Sequence, residues 1–130
     1  MIYGIGTDIA KVSRFEKWAL DSELTDRFFN SKELFEGDAA SHLGAASRHY
    51  AARFAAKEAF AKALGTGFTG LSLSDFYVAK DERGKPYFVF GDKTKKILDN
   101  CLANNYNIQL SLSHENEFAV AFVVIEKGDN

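Results

Sequence analysis

The apolar positions of this chain change their period several times, and each change predicts an element. Ile2 to Ile9 reads as a short strand in which Gly4 and Gly6 let another backbone or a ligand come close, with Asp8 near its C-terminal end. Ser13 and Glu16 have the capping-box spacing, and Phe15, Trp18 and Ala19 form the apolar stripe of a short helix. Asn30 and Glu33 repeat that spacing ahead of Leu34 and Phe35, predicting a second short helix. Residues 37–47 show no clear period and read as a loop or a loose helix. Ser47 to Leu64 contains no Pro or Gly and seven alanines, with Gly65 and Gly67 where a C-terminal cap belongs, so it predicts a long central helix.

Beyond that helix the period shortens. Phe76, Tyr77 and Val78 and then Tyr87 to Phe90 predict a hairpin turning at Asp81-Glu82-Arg83-Gly84. Asp92 is placed to cap a helix through Asn104, with Ile97, Leu98, Cys101 and Leu102 on its buried side. Ile108 to Ser113 alternates and Phe118 to Ile125 is nearly continuous, predicting a second hairpin around His114 to Glu117. The order β-α-α-α-ββ-α-ββ indicates a single α+β domain over residues 1–130, with a largely antiparallel sheet packed on the long helix.

Composition narrows the function classes. With 130 residues, 46% hydrophobic and 26% charged, the chain is neither a disordered tail nor two ordinary domains. Its net charge of −2 gives no bulk attraction to nucleic acid or anionic membrane. The single cysteine, Cys101, cannot form an intrachain disulfide and reads as a core residue. No apolar run approaches the ~20 residues of a membrane span, and the first residues lack a signal-peptide pattern. The expectation is a soluble cytoplasmic protein.

On the central helix Phe54, Glu58 and Lys62 lie a turn apart, so a carboxylate and an ammonium share one face. Spacing alone leaves two readings: a solvated i,i+4 ion pair worth a few tenths of a kcal/mol, or a site. Asp8 alone is a turn former; paired with Glu58 it supplies the two carboxylates that Mg²⁺ accepts alongside waters and phosphate oxygens. Gly65-Thr-Gly67-Phe-Thr-Gly70 has the letters of a dinucleotide fingerprint but follows a helix instead of a strand, so that reading is rejected. His42 and His49 support no metal site.

Four blocks in this order resemble the holo-acyl-carrier-protein synthases, the short class of 4'-phosphopantetheinyl transferases. They are Gly4-Ile-Gly-Thr-Asp8-Ile with Ser13-Arg14-Phe15, the run from Arg53 to Gly67, Gly84-Lys85-Pro86, and Ser111-Leu-Ser-His114. The resemblance implies the fold of that family and transfer of phosphopantetheine from coenzyme A to a serine of an acyl carrier protein, for fatty acid biosynthesis, leaving 3',5'-ADP. It implies Asp8 and Glu58 as Mg²⁺ ligands and Lys62 as the cation on the diphosphate. Arg53 and His114 are expected near the 3'-phosphate, Gly65 and Thr66 along the coenzyme, and Lys85 with Pro86 at its nucleotide end. The serine proton would go to Glu58 or to a water on the metal. Arg14, Trp18 and Phe54 are the expected carrier-protein contacts, and the implied assembly is a homotrimer with sites between subunits. Two departures stand out: Asn30 replaces a family Thr as the cap before Glu33, and Asp21, Glu23 and Asp26 dilute the basic residues of the first helices.

Overall fold

The computed structural model describes residues 1–128. Strand β1 (Ile2–Lys11) pairs antiparallel with β5 (Phe118–Lys127), which pairs antiparallel with β4 (Tyr106–His114), giving the order β1-β5-β4. A separate antiparallel hairpin joins β2 (Phe76–Lys80) to β3 (Pro86–Phe90). The strands therefore form two sheets, where the sequence pattern suggested one.

The long helix α3 (Leu43–Leu64) lies across the three-stranded sheet. Side chains of a strand alternate between faces, so Gly4, Gly6, Asp8 and Ala10 share one side of β1, opposite Ile125, Val123, Ala121 and Ala119 of β5. That side meets α3 through residues so small that a Cβ added at Gly4 or Gly6 would overlap the carbonyl oxygens of Ala63 or Ala59. Elsewhere on α3, Phe60 packs with Phe76, Phe88 and Phe90, and Phe54 packs with Phe15, Trp18, Phe28, Phe29 and Phe68. Gly65 ends the helix at φ 89°, the left-handed conformation in which a side chain is disfavoured.

The short elements depart most from expectation. Ser13 caps nothing: Val12–Phe15 is a 3-10 turn running directly into α1 (Glu16–Ala19), because Val12 and Phe15 must both reach the core. Helix α2 (Ser22–Phe28) was not anticipated; Asp21 caps it by accepting hydrogen bonds from the N–H groups of Glu23 and Leu24. Asn30 and Glu33 do form a reciprocal capping box, but it closes only a single 3-10 turn, Ser31–Glu33. Helix α3 starts four residues ahead of its predicted Ser47, so part of the expected loop is helical. Helix α4 (Asp92–Leu102) takes Asp92 as its first helical residue and stops before Asn104, where Ala103 and Asn104 adopt positive φ. Leu98 and Leu102 are buried as expected, while Ile97 and Cys101 are half-buried.

The glycine contact makes a stability prediction. Gly6→Ala should force α3 away from β1 and destabilise the protein by about 2 kcal/mol or more, within or above the usual overpacking range. Urea denaturation against the wild type measures it; Gly6 does not have the positive φ that would add backbone strain, so the loss reports the steric overlap.

Candidate active site

Two groups of polar side chains are set along α3. At its C-terminal half, Asp8 on the inner side of β1 faces the helix. Lys62 Nζ donates to Asp8 Oδ1 at 3.1 Å and to the Thr7 carbonyl at 3.0 Å. The ion pair that Lys62 makes thus runs to the strand, and the bland i,i+4 reading is replaced by a contact between elements. Glu58 also reaches Asp8. Burial, the Asp8 charge and a hydrogen bond with Asp8 raise the Glu58 carboxyl above the usual range, against opposing pulls from Lys62 and Arg14. Asp8 thus meets Glu58 and Lys62, which lie fifty and 54 residues further along the chain.

Arg14 completes the surroundings. Its guanidinium lies 5.4 Å from the ring centres of Phe15 and Phe54 and 5.8 Å from that of Trp18, so an exposed cation rests on an aromatic shelf beside Glu58. Trp18 is half-buried, but Phe54 is only 5% exposed and lies beneath the shelf. Phe54, expected with Arg14 and Trp18 as a carrier-protein contact, is mostly enclosed by neighbouring rings, and the Arg14 guanidinium lies over it.

About 7.5 Å along the helix axis from Glu58, Arg53 enters a second site, five residues of helical rise away. It lines a cleft of about 390 Å³ together with Phe35, Arg48, His49, Lys80, Pro86 and His114. Arg53 Nη1 donates to the His49 carbonyl at 3.4 Å, while its buried Nε has no hydrogen-bond partner among the described residues. Burial pulls the Arg53 guanidinium below its ordinary value, a penalty that an anion in the cleft offsets. His49 Nε2 is 2.6 Å from the Glu33 carbonyl, and burial followed by the Arg53 charge lowers its pKa from 6.5 to about 4. The ring is neutral at pH 7, so its Nε2 donates to that carbonyl.

The structure therefore brings Arg53, Pro86 and His114 together as the sequence suggested and adds Arg48, His49, Lys80 and Phe35. Arg48 and His49 lie within the helix expected from Ser47, His49 one turn before Arg53, so their spacing was a signal the sequence already held. Lys80 comes from a strand end and carries no local signal. The other expected contacts do not line the cleft. Gly65 caps α3, the Thr66 hydroxyl bonds the Gly67 carbonyl at 3.0 Å, and Lys85 is exposed in the β2–β3 turn, its N–H held by Asp81.

An acid pair beside a lysine and, apart from it, a cationic cleft suit a ligand with phosphates at two places. The sequence model of the 4'-phosphopantetheinyl transferase superfamily matches residues 4–123. This chain belongs to that family. It is 47% identical over 127 residues to the holo-[acyl-carrier-protein] synthase of Treponema denticola, covering 97% of this chain and 99% of the relative. Its fold is similar to the crystal structure of the holo-[acyl-carrier-protein] synthase of Neisseria meningitidis, with a TM-score of 0.83 and 38% identity over 98% of this chain and 100% of that one. A Bacillus anthracis holo-(acyl-carrier-protein) synthase in complex with CoA (3',5'-ADP) gives a TM-score of 0.76 at 34% identity, covering 98% of this chain and 99% of that chain. Family membership rests on nearly the whole chain, not on one motif.

His49 makes the cleft sensitive to acid. A histidine with a depressed folded pKa contributes stability that is present above its unfolded value of 6.5 and is lost as pH falls from there through about 4. The full effect is about 3 kcal/mol. Chemical denaturation of His49→Gln, which keeps a donor for the Glu33 carbonyl, should show a shallower loss between pH 6.5 and 4 than the wild type.

Proposed function

We propose that this chain is a holo-[acyl-carrier-protein] synthase, moving 4'-phosphopantetheine from coenzyme A to a serine hydroxyl of an apo acyl carrier protein. The observation that carries the reading is the convergence of Asp8, Glu58 and Lys62 on the flank of the helix whose Arg53 opens a cationic cleft. Coenzyme A is anionic at the corresponding two places, its diphosphate and its 3'-phosphate.

The donor set fits Mg²⁺. A carboxyl whose ionisation is opposed by burial and by the neighbouring Asp8 charge, as that of Glu58 is, is an arrangement a divalent cation relieves, and Mg²⁺ takes one or two carboxylates with waters and substrate oxygens. Asp8 and Glu58 would hold it, and bound there it supplies positive charge toward the diphosphate. Lys62 contributes a second, fixed charge to the same region. The Arg53, Arg48 and His114 side chains would orient the nucleotide end.

The serine oxygen forms a bond to the phosphorus that carries the pantetheine arm. The bond from that phosphorus to the bridging oxygen breaks, and 3',5'-ADP leaves with the electron pair. The serine proton passes to Glu58 or to a water beside it. Arg14 and Trp18 stand next to this point, and an exposed guanidinium seated on aromatic rings suits an acidic carrier protein. Asp21, Glu23 and Asp26 narrow the cationic surface around it, so docking centres on Arg14.

The assembly we propose is a homotrimer, as the family resemblance implied. The side of the three-stranded sheet turned from α3 exposes Ile5 at 69%, Ile9 at 63% and Phe122 at 57%, with Thr7 paired to Phe122 and Ile9 to Val120. Such a contiguous apolar face suits burial against further copies of the chain. No helix among the described residues is long and apolar enough to cross a membrane.

Intact-mass measurement of an apo acyl carrier protein incubated with the enzyme, coenzyme A and Mg²⁺ tests the reaction. One added phosphopantetheine, lost with EDTA, is the expected result; free phosphopantetheine without any carrier protein would instead mark a hydrolase. Glu58→Gln should slow transfer at least about 100-fold. It should not lower the melting temperature. A raised carboxyl pKa gives stability that is present below the ordinary value and lost as pH rises through the shifted one, so a neutral amide removes a penalty at pH 7. For the assembly, Phe122→Asp should convert a trimer into monomers in sedimentation equilibrium and reduce transfer.

A further inference from the structure

Lys57 is fully buried, which is unusual for a lysine and unexplained by the chemistry above. Its ammonium donates to Glu33 Oε2 at 2.5 Å and to the carbonyls of Leu73 at 2.6 Å, Phe76 at 2.8 Å and Phe28 at 3.3 Å. Glu33 is just as enclosed, and its carboxylate also accepts from the N–H groups of Asn30 at 2.9 Å and Val78 at 3.1 Å. One ion pair thus fastens α3 to the end of α2, to the Asn30 turn, and to the start and middle of β2.

Stability is a poor reason for such a pair, because well-packed apolar replacements of buried ion pairs are often neutral or stabilising. Its place on the helix offers another. Successive residues of a helix point about 100° apart, so Lys57 lies roughly opposite Ala59, with Glu58 on the flank between them. Ala59 and Ala63 bear on the glycines of β1, the strand that carries Asp8. The helix is held on one side by the glycine contact and on the other by the ammonium, and these two holds together set its rotation. Glu58 and Lys62 are the residues whose approach to Asp8 depends on that rotation.

We infer that Lys57 and Glu33 are positioning residues for the metal and phosphate site, fixing the rotation of α3 so that Glu58 and Lys62 meet Asp8. This rests on the transferase reading. The pair touches neither substrate nor metal; it acts through Glu58. Three N–H donors shared among four oxygens on separate elements give the lysine a geometry that an apolar side chain of equal volume does not reproduce.

The test compares the wild type with the double variant Lys57→Met with Glu33→Leu, and with Glu33→Gln alone, which retains the lysine and most of the hydrogen-bond acceptors. Leu98→Ala, in the core of α4 away from the site, serves as a control for general destabilisation. Near-UV circular dichroism and thermal melting establish the fold, and all binding and kinetics are run well below the melting temperatures. Mn²⁺ titration in the presence of coenzyme A, followed by electron paramagnetic resonance, reports the carboxylate pair without turnover. The expected result for the double variant is native circular dichroism, at least tenfold weaker Mn²⁺ binding and at least tenfold lower kcat. KM for coenzyme A should stay within about threefold, and Glu33→Gln should shift the same quantities less. Leu98→Ala should lose melting temperature without moving Mn²⁺ affinity or kcat. Wild-type Mn²⁺ affinity and kcat in a folded double variant would overturn the inference, as would equal losses in Leu98→Ala. If the double variant does not fold, Glu33→Gln decides by the same two readings, unchanged values counting against the pair. A wild type that neither binds Mn²⁺ nor transfers would overturn the transferase reading, and this inference with it.

Discussion

The close seat of α3 on β1 is the constraint on which the rest depends. A strand and a helix that meet through Gly4 and Gly6 against the carbonyl oxygens of Ala63 and Ala59 approach more nearly than side chains would permit. Strand alternation then places Asp8, two residues beyond Gly6, on the same side. An aspartate so placed reaches the flank of the helix, where Glu58 and Lys62 stand a turn apart. The acid pair is therefore a product of packing: larger residues at 4 and 6 would push the helix off and open the distance between the carboxylates. The small residues of β5, Ala119 and Ala121, extend the same seat beneath the helix.

A near-neutral chain achieves its chemistry by separating its charges. The acid pair and Lys62 lie in a partly open place where a cation finds two carboxylates. The cleft around Arg53 gathers positive charge from Arg48 and Arg53 on the helix and from Lys80, with the His114 ring at the end of β4 beside them. A third set, Lys57 with Glu33, is closed off from water altogether. Low dielectric makes each buried charge costly when unpaired and strong when paired, so these sets act over short range and barely register in the net charge. Arg14 is a fourth case, exposed yet held in place by the faces of three aromatic rings.

Legibility in the sequence followed the range of the interactions involved. The long helix, its glycine stop, the β2–β3 hairpin and the final pair of strands were readable because period, caps and turn residues act over a few positions. The short elements were less so. Ser13 has the right neighbours for a cap, but the burial of Val12 and Phe15 decides the backbone there; Asp21 was counted as a diluting charge and is a cap. Glu33 was read as half of a capping box, which it is, and its second task of meeting Lys57 lies twenty-four residues away. Phe54 was read on an apolar-leaning face with Glu58, but that Trp18, Phe15 and Phe28 enclose it is visible only in the packing.

The sequence by itself determined the α+β class, the order of the strands and the two longer helices, and the family, and through the family resemblance it offered Asp8 and Glu58 as an acid pair, since each rests on local spacing or on blocks of residues that travel together. Tertiary structure decided that the strands divide into two sheets, that Lys62 pairs with Asp8, that Arg48, His49 and Lys80 join Arg53 and His114, and that Lys57 is buried. Those are contacts between residues distant in the chain. Local spacing says which face of an element a side chain occupies; what stands opposite that face is settled only when the elements pack.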